Sequence, residues 1–191
     1  MKGVFIFLAE GFEDMEALGT RDILLRGGVD VKTVSITEER MVTSSHGLKV
    51  QADWVRSEFN ASLNKVKVGR NDVMIFPGGM PGSKNLAEDS ALMELMKNQY
   101  ILGCTVAAIC AAPGLVLSQL TPLYGKKFTC FDGFESYMIG KGAVFTPEST
   151  VVDGRLIPGR GAGHAVTFGL AILRYLKGNE TADHVKAGLM L

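Results

Sequence analysis

The order in which apolar segments follow one another limits the folds open to this chain. Short apolar runs, most of them with β-branched residues, alternate with longer segments of helical length. Strands buried on both faces of a sheet have this brief, continuously apolar character, and helices between them cover the two faces. The alternation therefore predicts an α/β protein with a mainly parallel central sheet. The strand candidates are Val4 to Leu8, Val29 to Ser35, Val73 to Phe76, Thr105 to Ile109, and short pieces near Phe128-Thr129 and Leu156-Ile157.

Helix signals lie between these strands and after the last of them. The candidates are Glu13 to Arg26, closed by Gly27-Gly28, Ser90 to Asn98, Ala112 to Leu120, and about His164 to Leu176, ended by Lys177-Gly178. Residues 36–58 interrupt the alternation with two short strand-like pieces, Met41 to Thr43 and Leu48 to Ala52, which we place at the sheet edge and at a potential subunit contact. Because no repeat or linker divides the chain, residues 1–191 are expected to form one domain.

Charge and composition narrow the classes of partner. Lys plus Arg and Asp plus Glu number 20 each, so no net charge draws the chain to nucleic acid or to an anionic membrane. A small molecule or another protein is the expected partner. The N-terminal apolar run of about six residues is too short for a signal-peptide core or a membrane span, which favours a cytoplasmic location.

The cysteines are Cys104, Cys110 and Cys130. Their odd number argues against a disulfide framework. The lack of a Cys-x-x-Cys pair, and of a nearby histidine at a zinc spacing, argues against a structural metal site. Reduced thiols and no bound metal are therefore predicted.

Cys110 lies in AAICAAP, where a predicted strand meets the start of a predicted helix. Ligands of open α/β sheets bind beyond the carboxyl ends of the strands, and a helix N-terminus favours a thiolate over a thiol. Cysteines so placed have a pKa lowered from about 8.5 to roughly 3.5–7.5, which predicts a nucleophile. The alternative is a small buried apolar residue, since free cysteine is often buried.

Two further segments are candidates for the same site. In FPGGMPG, residues 76–82, the N–H of Gly79 could form an oxyanion hole with the N–H of Ala111, or the segment could be a plain strand-to-helix turn. AEGFEDMEALG, residues 9–19, carries four carboxylates. Most of them, Glu13 included, are predicted to be solvated acids of the first helical turn. Glu16 has apolar neighbours and is predicted to face inward, where it could hydrogen-bond Cys110 or carry a proton.

With these segments placed, the chain resembles the ThiJ/PfpI superfamily, in particular the branch of the Parkinson-linked protein deglycase and its bacterial relatives. The similarity runs nearly from end to end, and the combination of motifs is more specific than any one of them. The motifs are LAEGFEDMEA, MIFPGGMPGSKNL, AAICAAP, LIPGRGAGHAVTFGLAI and VKAGLML.

The resemblance implies a flavodoxin-like three-layer sandwich of the class I glutamine amidotransferase type, and a homodimer. It also implies a nucleophilic, oxidation-prone Cys110 with Glu16 as its partner. Gly79 and the Ala111 amide match the family's oxyanion donors. Arg160 matches an arginine that the family often brings near the pocket across a dimer contact.

One segment departs from the family's pattern. Many relatives have a histidine after the strand that follows the sharp turn at the cysteine, whereas residues 129–133 of this chain read TCFDG. His164, at the start of the last long predicted helix, could approach the pocket or could cap that helix. Without a Cys-His pair, peptidase activity is not expected.

Two classes of function remain open. In the first, the resemblance implies a deglycase-like or glyoxalase-like enzyme in which Cys110 attacks an α-oxoaldehyde or its glycated adduct, without a metal or an organic cofactor. PGRGAG does not fit the Gly-x-Gly-x-x-Gly fingerprint, which argues against a nucleotide. In the second, the protein is a non-catalytic redox sensor or chaperone whose Cys110 is oxidised to sulfenic and sulfinic acid.

Overall fold

A five-stranded parallel sheet forms the centre of the protein. The computed structural model describes residues 1–63 and 67–191. Its strands are β1 (Val4–Leu8), β2 (Val31–Ser35), β5 (Val73–Phe76), β6 (Thr105–Ile109) and β9 (Leu156–Gly159). Every pairing within the sheet is parallel, and the strands lie in the order β2-β1-β5-β6-β9.

The sheet separates two apolar cores, because successive side chains of a strand point to opposite faces. In β1, Phe5 and Phe7 pack into one core and Ile6 and Leu8 into the other, and all four are buried. Helices cover both faces, giving the predicted three-layer α/β arrangement. The first core receives side chains of α2 (Arg56–Ala61) and α4 (Ser90–Ile101), and the second receives side chains of α1 (Thr20–Arg26), α7 (Ala165–Lys177) and α8 (Asn179–Gly188).

The central strands agree with the sequence prediction, and the differences have local causes. β2 begins at Val31, because the N–H of Val29 still donates to the carbonyl of Leu24 at the exit of α1. The predicted helix over Ala112 to Leu120 is a four-residue α5 (Ala112–Leu115) followed by a 3₁₀ turn. α5 contains Pro113 and Gly114, and glycine is a weak helix former.

Short elements lie outside the main sheet. β3 (Met41–Thr43) and β4 (Lys49–Gln51) form the predicted excursion as an antiparallel pair, and β7 (Lys127–Phe128) pairs with β8 (Val144–Phe145). The sequence analysis missed β8 and four helices, of which three have seven residues or fewer. These helices are α2, α3 (Gly82–Glu88), α6 (Ser136–Ile139) and α8. Within the described residues, no helix has both the length and the apolar character to cross a membrane.

Candidate active site

Three chain segments converge at the carboxyl edge of the sheet. The segment after β1 leads to Glu16, the segment after β5 contains Gly78 and Gly79, and Cys110 directly follows β6. β1 pairs with β2 on one side and with β5 on the other, so the strand order reverses beside β1. Ligands of open α/β proteins bind at such a switch point.

Cys110 lies on a sharp turn between β6 and α5. Its φ is 68°, a left-handed conformation that few non-glycine residues adopt. The turn is fixed on both sides, since the Cys110 N–H donates to the carbonyl of Gly159 (3.0 Å) and the Cys110 carbonyl accepts from the N–H of Phe131 (2.8 Å). A strained conformation held by its surroundings is typical of functional positions. Cys110 is partly exposed, whereas Cys104 and Cys130 are buried.

Glu16 is fully buried beside this turn, as the sequence predicts. It lies in a five-residue π-helical turn, Met15–Gly19, that precedes α1. Its Oε2 accepts a hydrogen bond from the N–H of Gly78 (2.7 Å), and the carboxyl also hydrogen-bonds the Cys110 side chain. Its Oε1 is buried with no hydrogen-bond partner among the described residues. One oxygen of the Glu16 carboxyl is therefore held by a backbone donor, and the other has no partner among the described residues.

The adjacent glycines Gly78 and Gly79 allow the three segments to pack closely, each for a different reason. A Cβ on Gly78 would overlap both the Cβ of Cys110 and the Oε2 of Glu16. Gly79 has φ 88°, and a Cβ there would lie 2.5 Å from the backbone N of Glu13. The local sequence pattern predicts a role for Gly79 but none for Gly78, whose contacts depend on the packing of three segments.

The amides expected to form an oxyanion hole lie at the sulfur. The N–H groups of Gly79 and Ala111 act on the Cys110 side chain and lower the pKa of its thiol. Burial and the negative charge of Glu16 act in the opposite direction and raise that pKa to about 12. The expectation of a low pKa is therefore wrong beside an ionised Glu16. Burial outweighs the two amides, and the four-residue α5 supplies less dipole than the nine-residue helix expected.

The ionisation of Glu16 is coupled to that of Cys110. Burial, with a smaller contribution from the nearby charge of Glu13, raises the pKa of its carboxyl to about 7, although interactions with the Gly78 N–H and the Cys110 side chain partly oppose the rise. When two groups interact strongly, their apparent pKa values belong to the pair and not to either residue alone. Above about pH 7 the resting pair holds one negative charge, which lies on the carboxylate because the pKa of the thiol is higher.

Arg160 and His164 line a shallow cavity of about 220 Å³ that also borders Phe131 and Asp132. The Arg160 guanidinium donates to the Asp132 carboxylate (2.7 Å) within the same chain. His164 is the N-cap residue of α7, the position suggested for it, but among the described residues its side chain forms no capping hydrogen bond. The 3₁₀ turn Ala162–His164, which precedes α7, sets its backbone instead.

The acids of the first segment have partners that the sequence did not predict. Asp14 binds the exposed His46 (Oδ2 to Nδ1, 2.7 Å), and the Glu13 carboxylate accepts the N–H of Glu16 (2.7 Å). Ligand atoms of Glu13, Asp14 and His46 lie within 4.8 Å of one another. These protein contacts account for their arrangement without a metal ion. Glu13 is half-buried, so its assignment as a solvated acid is wrong.

We expect Cys110 to be the first cysteine alkylated by limiting iodoacetamide at neutral pH. Cys104 and Cys130 are fully buried, and the Cys104 thiol donates to the carbonyl of Asp72 (3.0 Å). Peptide mass spectrometry identifies the labelled position, and Cys110→Ser should remove the fast phase. Preferential labelling of Cys130 would contradict this assignment.

We expect Gly78→Ala to lower the free energy of unfolding by about 1–3 kcal/mol, the usual cost of overpacking. The new Cβ would press on Cys110 and Glu16. Gly188→Ala is the matched control, because no atom lies within 4 Å of its added Cβ, and it should change stability by less than about 0.5 kcal/mol. Urea unfolding measures both variants, and equal stabilities would show that the site tolerates a side chain at position 78.

Comparison with known proteins identifies the family. The family model described as "DJ-1/PfpI family" matches residues 2–175. Protein DJ-1 homolog A of Arabidopsis thaliana is 34% identical over 190 residues, which cover 100% of this chain and 47% of that protein, so the chain spans about half its length. Glutathione-independent glyoxalase DJR-1.2 of Caenorhabditis elegans is 31% identical over 95% of this chain and 92% of its own.

A solved structure agrees with this assignment. The crystal structure of Drosophila melanogaster DJ-1beta superposes with a TM-score of 0.87 at 29% identity, covering 100% of this chain and 98% of that chain. Both the sequence match and the structural likeness extend over nearly all of the residues. The chain belongs to the DJ-1/PfpI family.

Proposed function

We propose that this protein is a cysteine-dependent enzyme that acts on α-oxoaldehydes or on their glycated thiol or amine adducts. One observation carries the proposal: the half-buried Cys110 thiol contacts a buried carboxyl and two backbone N–H groups at the same point. This arrangement combines a nucleophile, a proton carrier and oxyanion donors. The C. elegans relative that is named as a glyoxalase supports the choice of substrate class.

The first step forms a bond between sulfur and carbon. The thiol proton of Cys110 passes to the Glu16 carboxylate, and the thiolate adds to the aldehyde carbon of a substrate such as methylglyoxal. The negative charge that develops on the aldehyde oxygen is stabilised by the Gly79 and Ala111 N–H groups. Glu16 then returns its proton to that oxygen, which gives a hemithioacetal and leaves Glu16 as a carboxylate.

The second step moves hydrogen within the substrate. The Glu16 carboxylate removes the proton from the former aldehyde carbon and delivers it to the neighbouring carbonyl carbon through an enediol, leaving a 2-hydroxyacyl thioester on Cys110. Water cleaves the thioester, which releases the hydroxy acid and restores the thiol. No external oxidant or reductant is consumed, because one carbon is oxidised as its neighbour is reduced. From a glycated adduct, the bound thiol or amine departs as the leaving group.

Glu16 sets the expected pH dependence. Below its pKa of about 7 the pair is fully protonated and lacks a base, whereas above it the pair holds the negative charge that becomes the thiolate. Turnover should therefore rise as the pH increases through about 7. The sign follows from the raised pKa of the carboxyl, since an unperturbed glutamate would already be ionised below pH 5.

We expect Glu16→Gln to lower kcat by roughly 10²- to 10⁴-fold, the range for loss of a general acid–base group, and to remove the rise near pH 7. Steady-state assays with methylglyoxal and with glycated cysteine measure both effects. Cys110→Ser should be inactive, and Glu180→Gln, an exposed acid in the first turn of α8, is the matched control. Activity that survives in Cys110→Ser would refute the proposed enzyme.

The second candidate function is redox sensing or chaperone activity without turnover. The observation that favours it is the set of groups around the sulfur, since the N–H groups of Gly79 and Ala111 and a protonated Glu16 carboxyl could donate to the oxygens of a sulfinate. Stoichiometric oxidation of Cys110 by dilute peroxide, with no turnover of either carbonyl substrate, would select this candidate. Peptidase activity, a cofactor requirement and a non-cytoplasmic location are not part of either proposal.

A homodimer is the proposed assembly, and the exposed apolar residues beside the site support it. Met15, Met41 and Leu48 are 57%, 48% and 47% exposed. Met41 lies in β3 and Leu48 directly precedes β4, and this strand pair is tied to the Glu16 segment by the hydrogen bond from the Gly11 N–H to the Thr43 carbonyl (2.8 Å). An apolar surface of this kind next to a pocket is typical of a subunit contact.

We expect sedimentation at micromolar concentration to give a dimer, and Leu48→Glu to shift it toward monomer, because the contact would have to bury a charge. Leu102→Glu is the control, since Leu102 is 61% exposed and follows α4, away from the β3–β4 pair. A monomeric unmodified protein would refute the assembly.

A further inference from the structure

Glu13 links the two segments that hold the Cys110–Glu16 pair. Its backbone N–H donates to the carbonyl of Gly78 (3.0 Å), and its Oε2 accepts the backbone N–H of Glu16 (2.7 Å). The Gly78 N–H in turn donates to the Oε2 of Glu16 (2.7 Å). These three hydrogen bonds form a closed ring through Glu13, Gly78 and Glu16, so that displacement of one residue strains the contacts of the other two.

The backbone of Glu13 is also packed in place. A Cβ on Gly79 would lie 2.5 Å from the N of Glu13, so the main chain at residue 13 abuts the glycine whose N–H bonds Cys110. The N–H of Glu16 lies in the π-helical turn, near the start of the helix, where backbone donors lack intrahelical partners. The Glu13 carboxylate supplies a partner at that point.

The Glu13 carboxylate also places its negative charge next to Glu16. Among the described residues, no lysine, arginine or histidine forms an ion pair with Glu13. The neighbouring Asp14 differs, because it pairs with His46. An unpaired, half-buried carboxylate one turn before Glu16 opposes the ionisation of Glu16.

We propose that Glu13 is a positioning residue, which holds the Glu16 carboxyl against the Gly78 N–H and the Cys110 sulfur and keeps negative charge beside it. Glu13 touches neither the sulfur nor a substrate in this role and acts through Glu16. The inference deepens the proposed function and rests on it for the effect on turnover. Its geometric part concerns the Cys110–Glu16 pair alone and can be measured without a substrate.

The test compares two replacements of Glu13. Glu13→Ala removes both the acceptor and the charge, whereas Glu13→Gln keeps an acceptor of the same size and removes only the charge. Glu10→Gln is the matched control, because Glu10 is an acid of the same segment whose carboxylate binds the Thr43 N–H of the β3–β4 pair. The readouts are kcat and KM with methylglyoxal, and the pH dependence of Cys110 alkylation by iodoacetamide.

The charged groups that act on Glu16 define the expected pH effect. Cys110, which follows β6, and Glu13, in the same segment as Glu16, are the ionisable groups that act on the Glu16 carboxyl. The Gly78 segment contributes only a neutral amide, and α7 contributes the apolar Ala165 next to Gly19. Removal of the Glu13 charge should therefore move the Glu16-dependent limb of the alkylation profile to lower pH. Both Glu13 variants should show this shift, and Glu10→Gln should not.

The two variants should differ in rate. Glu13→Ala is expected to lower kcat by roughly 10²-fold with little change in KM, as for a misplacement of about 1 Å, while its alkylation profile keeps a Glu16-dependent limb at lower pH. Glu13→Gln should restore most of kcat. A Glu13→Ala variant with the rate and profile of the unmodified protein would overturn the proposal, as would a Glu13→Gln variant with an unshifted profile or as slow as Glu13→Ala.

Failure of the proposed function looks different from failure of this inference. If the protein is not an α-oxoaldehyde enzyme, no variant turns over methylglyoxal, while the alkylation profiles still separate the Glu13 variants from Glu10→Gln. If circular dichroism shows that Glu13→Ala does not fold, the alkylation profile of Glu13→Gln alone tests the proposal, since that variant retains the hydrogen-bond acceptor.

Discussion

The hydrogen bond from the Gly78 N–H to the Glu16 carboxyl joins the two halves of the candidate site. A carboxyl group that is fully removed from water is costly unless its oxygens find donors, and here the protein supplies one donor to Oε2. That bond requires a glycine at position 78, because a side chain would occupy the space of the carboxyl and of Cys110. The π-helical turn and the left-handed conformation of Cys110 bring the other partners to the same point.

Burial controls the acid–base behaviour of this site more than helix position does. Desolvation raises the pKa of Glu16 to about 7 and that of the neighbouring thiol to about 12. A thiolate is therefore favoured only when the carboxyl holds the proton, which makes proton exchange between the two groups part of any chemistry at Cys110. Desolvation also raises the pKa of Cys104 and Cys130 to about 12, so access to the sulfur distinguishes Cys110 from them.

The sequence predicted the structure best where a local residue pattern is compatible with only one kind of element. β1, β5 and β6 were predicted with their observed ends, because a short apolar run between turn signals fits a strand buried on both faces. The elbow at Cys110 and the inward direction of Glu16 were readable for a similar reason, since small or apolar neighbours accompany each. Short helices such as α2 escaped prediction, because their stability comes from a contact such as that of the buried Phe59.

By itself, the sequence determined the alternation of strands and helices, the family resemblance and the choice of candidate site residues. Only the tertiary structure decided how these residues affect one another, because Glu16, Gly78 and Cys110 are far apart in the chain and meet only once β1, β5 and β6 lie side by side. It also assigned Gly78 its steric role, Glu13 its hydrogen bond to Glu16 and Arg160 its pairing with Asp132. Desolvation, which sets both pKa values, depends on what the folded chain packs around each group, and no local sequence pattern specifies it.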